Sequence, residues 1–239
     1  MTRWEYPLSR HERNRSGSLA CLLGALVASA SAQSPPCEPE WSNQFPWTSV
    51  YDSISSVIEF DSGSGPALFV GGQSAQSLLP SSAVLRWQPG YWCDAGAVEL
   101  GGAARCFASF DDGSGEMLYV GGSSLGATLA GQSGVVRLNS RSWEPLMPYD
   151  PLNTTHVHAL CVYDDGYGPS LYAAGGFYSG TPAGHRGVTR WNGRKWLPVG
   201  GWFDGFALSL CAFDDGGGTK LYAGGGFSQA AGTPASRRG

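Results

Sequence analysis

Phe110-Asp111-Asp112-Gly113-Ser114-Gly115, followed by Leu118-Tyr119-Val120-Gly121-Gly122, is the stretch on which the fold turns, because the chain repeats it. The pattern recurs at Phe60-Asp61-Ser62-Gly63-Ser64-Gly65 with Leu68-Phe69-Val70-Gly71-Gly72, and at Tyr163-Asp164-Asp165-Gly166-Tyr167-Gly168 with Leu171-Tyr172-Ala173-Ala174-Gly175. A last copy reads Phe213-Asp214-Asp215-Gly216-Gly217-Gly218 with Leu221-Tyr222-Ala223-Gly224-Gly225. The leucines step by 50, 53 and 50 residues. A second block, Val84-Leu85-Arg86-Trp87, returns as Val135-Val136-Arg137-Leu138 and Val188-Thr189-Arg190-Trp191, and six residues beyond each arginine stands Trp92, Trp143 or Trp196.

Each unit translates into four strands. Strand a is the apolar run that ends in Phe or Tyr. Asp-Asp-Gly-x-Gly is turn chemistry, with glycine where the backbone needs positive φ and Asp where a side chain can cap its own turn. Strand b carries the Gly-Gly pair, which lets a neighbouring backbone approach. A longer loop leads to strand c around the arginine, and Pro89-Gly90 or Asn192-Gly193 turns the chain into strand d with its Trp. Four antiparallel strands every ~50 residues, without helical periodicity, predict an all-β, β-propeller-like array of four-stranded blades.

The apolar run before a double glycine, followed by two spaced aromatics, resembles the kelch-type blade. The fuller pattern is similar to the kelch-like repeats of large secreted bacterial proteins and of fungal cortical cell-polarity markers. Ala174, where the first glycine is expected, and Leu138, in place of the first Trp, depart from it. The resemblance implies the blade and leaves the function open, since such blades serve many purposes. Kelch-like propellers include copper oxidases with Tyr and His ligands near the axis; no such set maps onto this chain residue by residue.

Composition agrees with many short strands: 36 glycines and 9 tryptophans among 239 residues, with 14% charged. A net charge of −4 gives no footprint for nucleic acid or an anionic membrane. Arg3, Arg10, Arg13 and Arg15 precede the apolar run Leu19–Ala30, which closes on Ala30-Ser31-Ala32. This is the pattern of a secretory signal peptide over residues 1–32, with cleavage before Gln33. The run is too short to span a bilayer, and no later segment suffices. A secreted or cell-envelope location is therefore expected. Cys37, Cys93, Cys106, Cys161 and Cys211 then remain, an odd number without C-x-x-C spacing. Cys161 and Cys211 share one repeat position and read as buried thiols.

The expected organisation after the leader is an orphan outer strand at 33–50 around Trp41, blades at 51–100, 101–154 and 155–204, and a partial blade at 205–239 with strands a and b alone. Trp41 precedes Phe60 by 19 residues, close to the 18, 20 and 17 that separate Trp92, Trp143 and Trp196 from the next unit. Such an array reads as an incomplete propeller, a fragment of a longer protein.

A residue that recurs in every unit most simply serves the unit's fold. On that ground Asp111, Asp164 and Asp214 are turn residues in preference to calcium ligands. Arg86, Arg137 and Arg190 are expected to stack on aromatic faces or pair with the turn aspartates. Trp92, Trp143 and Trp196 are expected to pack blades. No catalytic residue, metal ligand or cofactor is assigned. Function belongs among departures from the repeat. His156 and His158, two apart on a strand, point to one side as a possible metal pair that lacks a third ligand. Asn153-Thr154-Thr155 is a glycosylation sequon in a eukaryotic secretory pathway. Loops b–c and d–a share one face and vary most, at Gln73–Ala83, Ser123–Gly134 and Phe177–Gly187. There Tyr178, His185, Trp202 and Phe203 are candidate ligand-face residues. The reading these features favour is an exported, non-catalytic binding or structural module with a protein or polysaccharide partner. Its rivals are a carbohydrate-binding propeller and, from another class, a galactose-oxidase-like or hydrolytic enzyme with its site on the loop-rich face.

Overall fold

Alternation of apolar and small polar residues along strand a, and the tight Asp-Asp-Gly-x-Gly turn after it, fold each unit into an antiparallel meander. The computed structural model describes residues 51–74, 82–96, 100–126, 133–140, 142–146, 156–177 and 185–231, all within the unit Ser42–Gly239. The leader, the segment around Trp41, Asn153, Tyr178 and the last residues fall outside the described residues. The first meander is β1 (Tyr51–Asp61), β2 (Pro66–Ser74), β3 (Val84–Gln88) and β4 (Tyr91–Asp94). The second is β5 (Gly101–Asp111), β6 (Glu116–Gly126), β7 (Ser133–Asn139) and β8 (Ser142–Pro145). The third is β9 (His156–Asp164), β10 (Pro169–Phe177), β11 (His185–Trp191) and β12 (Trp196–Val199). Beyond it lie β13 (Trp202–Phe203), β14 (Phe206–Asp214), β15 (Thr219–Gly226) and β16 (Ala230–Ala231). Pairing within each meander is antiparallel and runs between neighbours in sequence. β14 pairs β15, and β13 pairs β16. The protein is all-β.

Consecutive meanders meet face to face, and the core lies in the layers between them. Phe60, Phe69 and Val84 of the first unit pack against Leu118, Val120 and Val136 of the second. Phe110, Tyr119 and Val135 of the second pack against Leu171, Ala173 and Trp191 of the third. Ala159 and Ala174 meet Ala207, with Leu210 and Phe203 beside them. One face of each blade thus looks back and the other forward, which explains why both parities of strand b are apolar. Trp143 and Trp196 lie at the edges of these layers, and the Trp196 indole N–H donates to the Leu146 carbonyl (3.1 Å) in the preceding unit. Trp92 packs on Val70 and Leu85 of its own blade.

The paired glycines sit opposite a β-bulge in strand a. In all four copies the register slips by one residue there, leaving Ser55, Arg105, His158 and Leu208 as the extra residue. The strand-a backbone consequently presses onto strand b: a Cβ on Gly122 would stand 2.0 Å from the Ala103 carbonyl oxygen, and one on Gly175 would stand 1.9 Å from that of His156. Glycine is therefore required at that second position, whereas the first tolerates the Ala174 departure.

Candidate functional site

The two edges of the array differ in chemistry. At the turn edge, the two aspartates of each Asp-Asp-Gly-x-Gly turn divide the work. The first caps the turn: Asp111 Oδ1 accepts from the backbone N–H of Gly113 and Gly115 at 2.8 and 2.9 Å, and both glycines have positive φ (100° and 105°). Asp61, Asp164 and Asp214 do the same in their own turns. The second aspartate reaches across the blade. Asp112 Oδ2 accepts from the Tyr119 hydroxyl (3.1 Å) and from Arg137 Nη1 (2.5 Å). Arg137 Nε donates to Glu144 (2.9 Å), which also accepts from Asn139. In the third unit Asp165 receives the Tyr172 hydroxyl (3.1 Å) and Arg190 Nη1 (2.5 Å).

These partners set the ionisation of the network. Burial works to raise the Asp112 carboxyl and is outweighed by hydrogen bonds from Ser114 and Tyr119 and by the charge of Arg137, leaving it below its ordinary range. Burial pushes the Tyr119 and Tyr172 phenols up to about 12. The first and last units vary the theme. Ser62 and Phe69 replace the acid and the phenol, so Arg86 donates to Ser64 Oγ (2.8 Å) and lies 6.0 Å from the Phe69 ring centroid. In the last unit Lys220 and Tyr222 serve Asp215, and the Lys220 hydrogen bond leads in holding that carboxyl down at about 2. Shallow grooves along this edge, one lined by Asp112, Tyr167, Arg190 and Asn192, are walled by residues already engaged in turns and ion pairs.

The opposite edge, where strand b gives way to the b–c loops, collects residues that do not recur. Ser123 follows Gly122 and forms the single bridge from β6 to β9, opposite His156. Its Oγ lies 2.7 Å from His156 Nδ1 and accepts from Arg105 Nε at 3.2 Å. The His156 and His158 rings are 6.5 Å apart, and His158 meets Phe206 of the next unit edge-on at 6.2 Å. Arg105 and His158 are the bulged residues of their strands, and a bulge re-aims its side chain. Burial, then the charge of Arg105, holds both imidazoles below their usual range; His156 adds a third such contribution at His158. Among the described residues no three His, Cys, Asp or Glu side chains group as metal ligands.

The Ser123–His156 distance is that of a nucleophile–base pair. Arg105 occupies the same oxygen, and among the described residues no carboxylate hydrogen-bonds His156 in the role of an orienting group. The cluster is better described as converging hydrogen-bond donors beside an aromatic wall.

Of the residues expected on this face, Tyr178 lies outside the described residues. His185 opens β11 with its backbone opposite Phe177, and Trp202 pairs Ala231. Phe203 stacks on Phe227 with centroids 4.3 Å apart and joins the Ala159–Ala174–Ala207 layer, so its ring is used in packing. Arg105 and Ser123 are absent from the sequence-based set. Their signal was present as positions that change from unit to unit: Ser55, Arg105, His158 and Leu208 share one place, and Gln73 and Ser123 another. Comparisons with protein-family models, with curated proteins and with solved structures find no match to this chain.

Proposed function

We propose that the chain is an exported, kelch-like propeller module that acts through a binding surface on its loop-rich edge, at or outside the cell envelope. One observation carries this reading: the recurring polar residues are engaged with one another at the turn edge, whereas the non-recurring Arg105, Ser123, His156 and His158 converge at the other. Residues repeated for the sake of the blade are accounted for by it; residues that break the repeat at one place are not, and Arg105 keeps guanidinium donors beyond the Nε that binds Ser123. The export pattern of the first 32 residues supports the location, and among the described residues no helix is long and apolar enough to cross a membrane. A polysaccharide is the partner favoured by Phe206, which is 37% exposed and sets an aromatic ring against His158, next to polar donors.

Two measurements on the secreted chain test the proposal. Metal analysis is expected to find no stoichiometric copper or zinc; either metal, lost on changing His156 and His158 to Gln, would favour the oxidase or hydrolase reading instead. Glycan-array binding weakened by substitutions at Arg105 but untouched at Arg190 is the expected result. Equal loss at both positions would place the surface elsewhere.

A further inference from the structure

We infer that Arg105, Ser123, His156 and His158 form a proton-linked oxyanion site, and that its ligand is the carboxylate of a uronic-acid residue in a polysaccharide. This deepens the proposed binding function and rests on it.

A serine hydroxyl has one proton to give and lone pairs to receive with. Arg105 Nε can only donate, so it occupies a lone pair of Ser123 Oγ, and the hydroxyl proton turns to Nδ1 of neutral His156. The second imidazole nitrogen then carries the ring proton. When His156 gains a proton, Nδ1 becomes a donor and needs Ser123 Oγ as acceptor. Both lone pairs of that oxygen are now taken, by Arg105 and by His156, and the hydroxyl proton is released to a third partner. Protonation thus adds positive charge and frees a donor at one point. An oxyanion there would meet the Ser123 hydroxyl, the remaining guanidinium N–H groups of Arg105, and the imidazoles.

The surroundings favour this ligand class. At this edge β5 contributes Arg105, β6 Ser123, β9 the two histidines and β14 Phe206, while the carboxylates of the same strands, Asp111, Glu116, Asp164 and Asp214, stand at the far turn edge. The charges that reach the two rings are Arg105 and, for His158, His156; among the described residues no carboxylate neutralises them. Arg105 is exposed and has no ion pair among the described residues. Among the described residues the site therefore gathers positive charge and donors, and Asp204, which precedes β14, is engaged by Ser228 and Gln229. Its apolar wall, Phe206, suits a ligand that pairs one carboxylate with a C–H-rich ring, as a uronic acid does. Among the described side chains Arg105 is the fixed cation of the site, which suits one carboxylate and gives no track for a phosphate backbone.

Proton linkage fixes the sign. Burial and the charge of Arg105 favour the uncharged form of the two rings, and an anion bound beside them favours the protonated form. Affinity should rise as pH falls.

The experiment is NMR titration of the intact secreted chain, following the two histidine Hε1 signals, with trigalacturonate, its methyl ester and sodium sulfate. Expected is an upward shift of both titrations on adding trigalacturonate, with affinity about tenfold or more tighter near pH 5 than near pH 8. The methyl ester should leave both titrations in place. Arg105→Gln should weaken trigalacturonate binding about tenfold at either pH. His158→Gln should reduce the pH dependence while keeping the binding that remains near pH 8. Sulfate binding as tight as trigalacturonate would reduce the site to a general oxyanion site and overturn the sugar assignment. Methyl-ester binding as tight as the acid would overturn the inference while leaving carbohydrate binding standing. Unmoved histidine signals with every ligand would overturn the inference. A glycan array that is also silent at both pH values would remove the carbohydrate reading with it.

Discussion

Gly121 tests whether the layers between blades are packed as tightly as their geometry implies. A methyl group there would stand 2.6 Å from Cys106 Sγ and 2.7 Å from Val157 Cγ1, far inside the ~3.5–4.0 Å optimum for such contacts. Both obstacles are firmly held: Val157 is fully buried, and Cys106 is the cross-strand partner of Gly121. Gly121→Ala should therefore cost about 2–3 kcal/mol, the upper part of the range for overpacking, offset by ~0.4–1 kcal/mol from the lower entropy of the unfolded chain. A net loss of about 1–2 kcal/mol lowers Tm by roughly 2–8 °C for a chain of this size. The third unit shows how the clash can be avoided. Ala174 occupies the equivalent place opposite Ala159 and packs in the same layer as Ala207, so small residues replace both the thiol and the valine. Adding Cys106→Ala and Val157→Ala to Gly121→Ala rebuilds that alanine set between the second and third units. Val157→Ala alone should cost about 2 kcal/mol. The triple variant should be less destabilised than the sum of its parts by about 1 kcal/mol or more. Urea unfolding followed by tryptophan fluorescence measures each term. A Gly121→Ala protein as stable as its parent, or a strictly additive triple variant, would refute the packing account.

Arg137→Ala should destabilise by about 1–3 kcal/mol, because it leaves Asp112, whose side chain is 10% exposed, without its cation; thermal melting reads it. Arg190→Ala should cost less, since that arginine and Asp165 are 27% and 29% exposed; the opposite order would sink the burial argument. The Asp112 and Glu144 carboxyls are held below their ordinary values of 3.8 and 4.5, so their contribution is present above those values and is lost as pH falls below about 4.5 and on through the depressed values. Asp112→Asn should flatten that acid limb of the stability curve, and an unchanged limb would assign it to other groups. Cys211 is exposed and Cys161 only partly buried, unlike the buried thiols their shared repeat position suggested, so cysteine labelling of the native chain with iodoacetamide, mapped by mass spectrometry, should modify Cys211 and spare Cys106, whose thiol burial pushes up to about 12. Labelling of Cys106 before unfolding would show that the layer between the second and third units opens.

What the amino-acid sequence determined was the unit. The recurring Asp-Asp-Gly-x-Gly turn, the Leu-Tyr-x-x-Gly run and the Val-x-Arg block each act over a few residues, through turn geometry and strand alternation, so their recurrence is enough to set four antiparallel strands per repeat. What it could not assign was the division between the two turn aspartates. Both are identical in type and adjacent; only the strand pairing brings Asp112 and Asp165 to the Tyr and Arg of strands b and c, while Asp111 and Asp164 stay with their own backbone. The reason for the paired glycines was likewise tertiary, since the bulge that presses strand a onto strand b appears only in the register. The Arg105–Ser123–His156–His158 cluster was the least legible part. Its members lie up to 53 residues apart on different strands of two units, and only the pair His156 and His158 stood out as a pattern. Their meeting depends on one bridging pair, Ser123 opposite His156, and on two bulges that turn Arg105 and His158 to the same edge. Local chemistry could fix the blade because its causes are local; the edge is set by how one blade is placed against the next.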